Sequence, residues 1–163
     1  MAEKQILVRG ASILGTADAG LERKDILIRD GRIAAIEEPG RLDGHRAAHV
    51  IDGRAKLVIP GLVNAHYHSH DVLSRGMFED IPLEIWIALA IMPPGRALSQ
   101  REVRLRTLLG AIECLRNGIT TVQDMVGCGP GAEAHVETIM QTYHEVGIRC
   151  VLGLQVGNRA AID

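Results

Sequence analysis

Nine residues, Leu57-Val58-Ile59-Pro60-Gly61-Leu62-Val63-Asn64-Ala65, are almost wholly apolar and run straight into His66-Tyr67-His68-Ser69-His70. A continuous apolar run suits a strand buried on both faces, and such strands belong to parallel sheets covered by helices. The residues that follow agree. Pro82 suits the first turn of a helix that passes Trp86 and stops at Pro93-Pro94-Gly95. Ser99-Gln100-Arg101-Glu102 is a capping box, whose two side chains satisfy the orphan amides of a first helical turn. Val103, Leu105, Leu108, Leu109, Ile112 and Leu115 then recur at helical spacing, and Asn117-Gly118 supplies the stop. Ile119 to Met125 reads as a strand, 132–146 as a helix closed by Gly147, and Ile148 to Val156 as a third strand. Strand and helix alternate at about 35 residues per unit, the spacing of either a barrel or a doubly wound parallel sheet.

The residues before Leu57 follow another pattern. Gln5 to Ser12 is apolar-rich, and a break is expected at Gly15-Thr16-Ala17-Asp18. Asp25 to Arg29 and Arg32 to Ile36 flank Asp30-Gly31, a dipeptide that favours a tight hairpin because both turn positions take positive φ. Val50-Ile51-Asp52-Gly53 adds another strand and turn. These elements predict part of a small β-sandwich, with too few strands to close one. The domain boundary is placed near Leu57, dividing the chain into 1–56 and 57–163.

Composition narrows the function. The 163 residues carry 18 basic and 20 acidic side chains, a formal charge of −2, so the broad basic field used by nucleic-acid and anionic-membrane binders is lacking. Aromatic residues are 2% of the chain, too few for the stacking platforms of single-strand binders. The longest apolar stretch, Ile85 to Met92, falls short of the roughly 18 residues that span a bilayer. The first residues lack the apolar core of a signal peptide. Cys114, Cys128 and Cys150 are odd in number and form no C-x-x-C pair, as expected of small buried thiols in a reducing compartment. The expectation is a cytoplasmic, soluble protein with no nucleic-acid or membrane partner.

Chemistry concentrates where the apolar strand ends. Side chains alternate along a strand, so His66 and His68 share one face and Tyr67 points the other way, toward the surrounding helices. Two imidazoles so placed can converge on one metal ion. In an α/β barrel, the C-terminal strand ends are where active sites form. The bland alternative is a pair of polar residues at a loop entrance, bonded to backbone. Strict alternation would add His70, but a strand that ends within two residues leaves it a surface or supporting group. Among other candidates, Asp124 could orient a ligand histidine, Trp86 could wall a substrate pocket, and Gln155 could contact substrate; capping or core packing are the plain alternatives. His135 and His144 fall on the helix between the second and third strands and read as helix-surface residues. Gly127-Cys128-Gly129-Pro130-Gly131 lacks the Lys-Ser/Thr of a phosphate loop.

Val58-Ile59-Pro60-Gly61-Leu62-Val63-Asn64-Ala65-His66-Tyr67-His68 closely resembles the first-strand motif of the metal-dependent amidohydrolase superfamily. Arg75 to Trp86 is similar to the branch holding cytosine-deaminase-like, chlorotriazine-hydrolase-like and adenosylhomocysteine-deaminase-like enzymes. Asn117-Gly118-Ile119-Thr120-Thr121-Val122 with Asp124 resembles their second strand, and the strands ending in Val50-Ile51-Asp52-Gly53 resemble their N-terminal sandwich. The likeness implies an α/β fold: part of a small β-sandwich, then the first three strands of a TIM (β/α)8 barrel that is incomplete in this chain. It makes His66 and His68 ligands of one divalent transition metal, zinc or iron. It also implies hydrolysis of a non-peptide C–N bond in a heterocyclic amine or amide by metal-activated water.

The family's other histidines, its aspartate and its acid/base residues belong to later strands, so no catalytic acid or base is expected in this chain. A complete barrel needs about 250 residues, and two ligands do not fill a coordination sphere of three protein groups and a water. The chain is therefore expected to be an N-terminal fragment, inactive alone, of an enzyme that takes a small heterocyclic substrate and forms a homo-oligomer at full length. Pro94-Gly95 stands where some nucleoside-processing relatives place a Glu, which argues against an adenosylhomocysteine-type substrate. The competing readings are a binuclear cyclic amidase of the same superfamily and a non-catalytic truncated module that pairs with another subunit.

Overall fold

In the computed structural model of the chain, residues 5–14, 20–90, 98–127 and 132–155 are described. Two compact units separate after Pro60: Met1–Pro60 and Gly61–Asp163. The first is built from β1 (Gln5–Leu14), β2 (Leu21–Arg29), β3 (Arg32–Glu37), β4 (His49–Asp52) and β5 (Leu57–Val58). They form one sheet of order β3-β2-β1-β4, with β5 also paired to β1. Asp30 and Gly31 take φ of 49° and 76°, the double left-handed turn that the Asp-Gly pair predicts. The expected break at Gly15 to Asp18 lies outside the described residues. A sandwich needs two facing sheets, and the described residues of this unit supply one.

Register explains its packing. Leu7 lies opposite Leu27 and Val8 opposite Ile26, so the two pairs face opposite sides of the sheet. Leu7 and Leu27 bury with Leu42, while Val8 and Ile26 bury with Ala11. Leu42 stands between Arg41 and Asp43, so no local apolar pattern marks it as an anchor. The β1–β2 ladder slips between Val8 and Ala11, where Gly10 has φ of 63°. The buried Asp25 carboxylate spans this bulge, accepting from the Gly10 amide at 2.7 Å and the Gly40 amide at 2.8 Å.

The apolar run does not form one strand. Leu57–Val58 pairs in parallel with β1 in the first sheet, and a second strand, β6 (Leu62–Tyr67), begins in the other unit. Pro60 offers no amide to a ladder, and Gly61 lies so close to the Thr120 side chain that a Cβ would overlap it. The expected boundary before Leu57 thus falls inside a stretch that belongs to the first sheet.

Beyond β6 come a 3-10 helix (Ser69–Ser74), α1 (Leu83–Ala90), α2 (Gln100–Arg116), β7 (Ile119–Gly127), α3 (Ala132–Val146) and β8 (Arg149–Gln155). The three strands form a parallel sheet of order β6-β7-β8. In its middle strand Val122, Asp124 and Val126 are buried. In β6 the expectation fails: Leu62 is 49% and Val63 66% exposed, because β6 is an edge strand with a neighbour on one side.

The core gathers around β7. Val122 and Val126 pack with Val103, Ala111 and Cys114 of α2 and with Ile139 and Tyr143 of α3. The capping box forms: Ser99 Oγ accepts from the Glu102 amide, and the Glu102 carboxylate accepts from the Ser99 amide at 2.9 Å. Yet the helix buries Val103, Thr107, Gly110, Ala111 and Cys114, and leaves Leu105, Leu109 and Ile112 exposed. Small residues face inward because α2 approaches Tyr67 and Val72 closely at Gly110. No helix among the described residues is long and apolar enough to cross a membrane.

Candidate metal centre

The end of β6 sets the geometry. Tyr67, the last strand residue, points to the helix layer and packs against the core, as alternation requires. Burial raises its pKa well above the usual phenol value, with Cys114 close by. His68 follows in extended conformation, with φ of −132° and ψ of 92°, so the alternation carries one residue past the strand. His66 and His68 therefore meet on the opposite side. Their Nε2 atoms are 3.1 Å apart, with ring planes at 87° and centroids 4.8 Å apart.

That separation is informative. Nitrogen–metal bonds of about 2.0–2.1 Å placed on both atoms would meet at roughly 100°, close to a tetrahedral angle. The His68 Nδ1 lies 3.0 Å from the Met125 carbonyl oxygen. A carbonyl only accepts, so Nδ1 carries the proton and Nε2 keeps a lone pair directed at His66. The pair can hold a divalent metal, with His66 Nε2 and His68 Nε2 as donors.

Neighbouring groups fall into two sets. His68, His70 and Asp71 place ligand atoms within 4.8 Å of one another, a looser grouping than the His66–His68 pair. His70 lies in the 3-10 helix, off the strand pattern, with Nε2 3.5 Å from Asp71 Oδ1 and a buried Nδ1 that has no partner. Burial holds its pKa below the ordinary imidazole value. The other set hangs on Asp124, which is fully buried: Oδ1 accepts from the Ser69 amide at 2.8 Å and Oδ2 from the Tyr143 hydroxyl at 2.8 Å. Of the two readings of Asp124, a partner to a histidine ring or a loop hydrogen bond, the bonds seen are to the backbone that follows His68 and to Tyr143. Burial, then Asp124, push the Tyr143 phenol far above its usual value, so it stays a donor.

The remaining sequence candidates make no hydrogen bond to either histidine among the described residues. Trp86 is half-buried on α1 and does not line the cavity of about 340 Å³ that reaches His68, Tyr67 and Asn64. Gln155 ends β8, exposed and opposite Gly127. His135 sits 3.1 Å from the Leu98 carbonyl oxygen, and His144 is exposed, in line with their reading as helix-surface residues. Cys114 is buried and Cys150 half-buried; Cys128, Pro94 and Gly95 lie outside the described residues. Sequence reasoning missed Met125, Ser69 and Tyr143. The one available signal was that Met125 follows Asp124 at the end of β7.

A parallel βαβαβ layer with two histidines converging beyond its first strand defines the class, and comparison supplies the family. Residues 57–160 match the amidohydrolase family, and the chain belongs to it. It is 38% identical over 148 residues to a 5-methylthioadenosine/S-adenosylhomocysteine deaminase of Pyrococcus furiosus, covering 91% of this chain and 33% of that protein. A 5'-deoxyadenosine deaminase of Methanothermobacter thermautotrophicus is 36% identical over 155 residues, covering 93% and 33%. Among solved structures, a mutant of the atrazine chlorohydrolase TrzN from Arthrobacter aurescens TC1, complexed with zinc and atraton, superposes with a TM-score of 0.76 at 26% identity, covering 90% of this chain and 35% of that one. Escherichia coli guanine deaminase shares the fold, with a TM-score of 0.70 at 20% identity, covering 98% and 38%. The chain thus spans about a third of the length of these relatives.

Proposed function

We propose that these residues form the first part of a metal-dependent hydrolase that removes the amino group of a small heterocycle. The observation that carries the reading is the 3.1 Å separation of His66 Nε2 and His68 Nε2, with the second ring fixed through Nδ1. In this reading the chain supplies two donors to one zinc or iron ion, and the further ligands and the acid/base residues lie outside it. The first unit is part of an N-terminal sandwich, and β6, β7 and β8 are the opening strands of a barrel. A divalent metal in that position lowers the pKa of bound water and polarises the atom under attack. The chain's own task is positional: Met125 and Asp124 hold the histidine segment, and the two rings keep their lone pairs on one point.

The named relatives favour an adenine nucleoside altered at its 5' position as substrate, against the expectation drawn from Pro94-Gly95. Water then adds at the carbon bearing the exocyclic nitrogen, that C–N bond breaks, and ammonia leaves. The test uses the full natural polypeptide containing these residues. Zinc and iron are quantified after replacing His66 and His68 singly by Ala, and ammonia release is followed across 5'-substituted adenosines and guanine. The expected result is loss of bound metal in both variants and turnover of at least one adenosine. Unchanged metal content in both variants refutes the site. Activity on guanine alone refutes the substrate class and leaves the site standing.

A further inference from the structure

Two adjacent residues of β7 grip the histidine segment in different ways. The Met125 carbonyl accepts from the His68 ring, while the Asp124 carboxylate accepts from the amide of Ser69, the residue directly after His68. Asp124 is in turn held by the Tyr143 hydroxyl on α3. All three members of this chain, Ser69, Asp124 and Tyr143, are at most 1% exposed. A buried carboxylate accepting two bonds of 2.8 Å is a fixed point, because moving it would leave donors unpaired in a dry interior. His68 itself leaves the strand, so nothing in the β6 ladder locks its ring. Without Asp124 the segment could shift by a fraction of an ångström, and the Nδ1 bond to Met125 would loosen with it.

We propose that Tyr143 and Asp124 are positioning residues for the metal donor His68: by holding the Ser69 amide they keep the ring seated on the Met125 carbonyl and so select the tautomer that offers Nε2. This rests on the metal reading above and extends it to a residue on α3 whose hydroxyl bonds Asp124 and neither histidine. Groups that support a ligating histidine typically change metal affinity by about 10–100-fold when removed. Tyr143→Phe deletes the hydroxyl and keeps the ring, so the loss should fall near the lower end of that range.

The experiment uses the full natural polypeptide, with zinc affinity measured by chelator competition. In the metal-free protein, the His68 tautomer is read from its ring ¹⁵N shifts at a pH above the imidazole range. Tyr143→Phe should weaken zinc binding about tenfold and move His68 from the Nδ1–H form toward a mixture. Thr142→Val is the control: it removes a neighbouring buried hydroxyl that donates within α3 to the Thr138 carbonyl, and it should move neither reading. Should Tyr143→Phe fail to fold, Asp124→Asn carries the same comparison, since it keeps an oxygen for the Ser69 amide. The proposal requires both changes, and the absence of either overturns it. Equal effects from Thr142→Val also overturn it, because they would report helix packing. If His68→Ala leaves zinc affinity intact, the underlying metal reading fails instead.

Discussion

Gly110 is where the helix layer meets the histidine strand. An added Cβ at this position would fall inside the contact distance of the Tyr67 hydroxyl and 3.1 Å from Val72 Cγ2. In an unobstructed helix interior, Gly→Ala stabilises by about 1 kcal/mol. Here it overpacks a close contact, which typically costs about 1–3 kcal/mol. The balance is a net destabilisation of about 1 kcal/mol, opposite in sign to the helix preference. Because Tyr67 lies between His66 and His68, moving its ring must also disturb the 3.1 Å donor pair. Urea denaturation of Gly110→Ala beside wild type measures the first effect, and zinc titration of both measures the second. A variant more stable than wild type by about 1 kcal/mol, with zinc affinity unchanged, would refute this account of how α2 seats the strand.

Two further outcomes follow from groups already described. Asp25→Ala strips acceptors from two glycine amides at once and should lower stability by about 3 kcal/mol, with Asp25→Asn costing about half; a loss under about 1 kcal/mol in the urea midpoint of Asp25→Ala would contradict the anchoring role. Burial on β8, aided by Asp124, pushes the Cys150 thiol from an ordinary 9.0 up to about 11. Between those values the unfolded chain releases the proton and the folded chain keeps it, so this contribution is complete below pH 9 and fades as pH rises toward 11. Cys150→Ala should flatten the fall in stability across that window, and identical slopes would count against the burial.

Local chemistry was legible wherever a few consecutive residues decide the outcome. Asp30-Gly31 dictated its turn, Ser99 with Glu102 dictated a helix start, and alternation through Tyr67 brought His66 and His68 together. What stayed hidden depends on partners distant in sequence. The bond from Asp124 to Ser69 spans 55 residues and that from His68 to Met125 spans 57, and no local pattern encodes either. The apolar period of α2 pointed to leucines, yet the helix turned its small residues inward because Tyr67 needed room. The Leu57 run misled for a related reason: hydrophobicity says that a segment is to be covered, and only pairing says by which sheet.

The borders of the parallel sheet carry a consequence for biosynthesis. Val63 on β6 and Val151 on β8 stand well exposed at its two outer strands, and open strand borders recruit other strands. A polypeptide that has folded only these three strands therefore offers two borders to a second copy of itself and would be a client for holding chaperones.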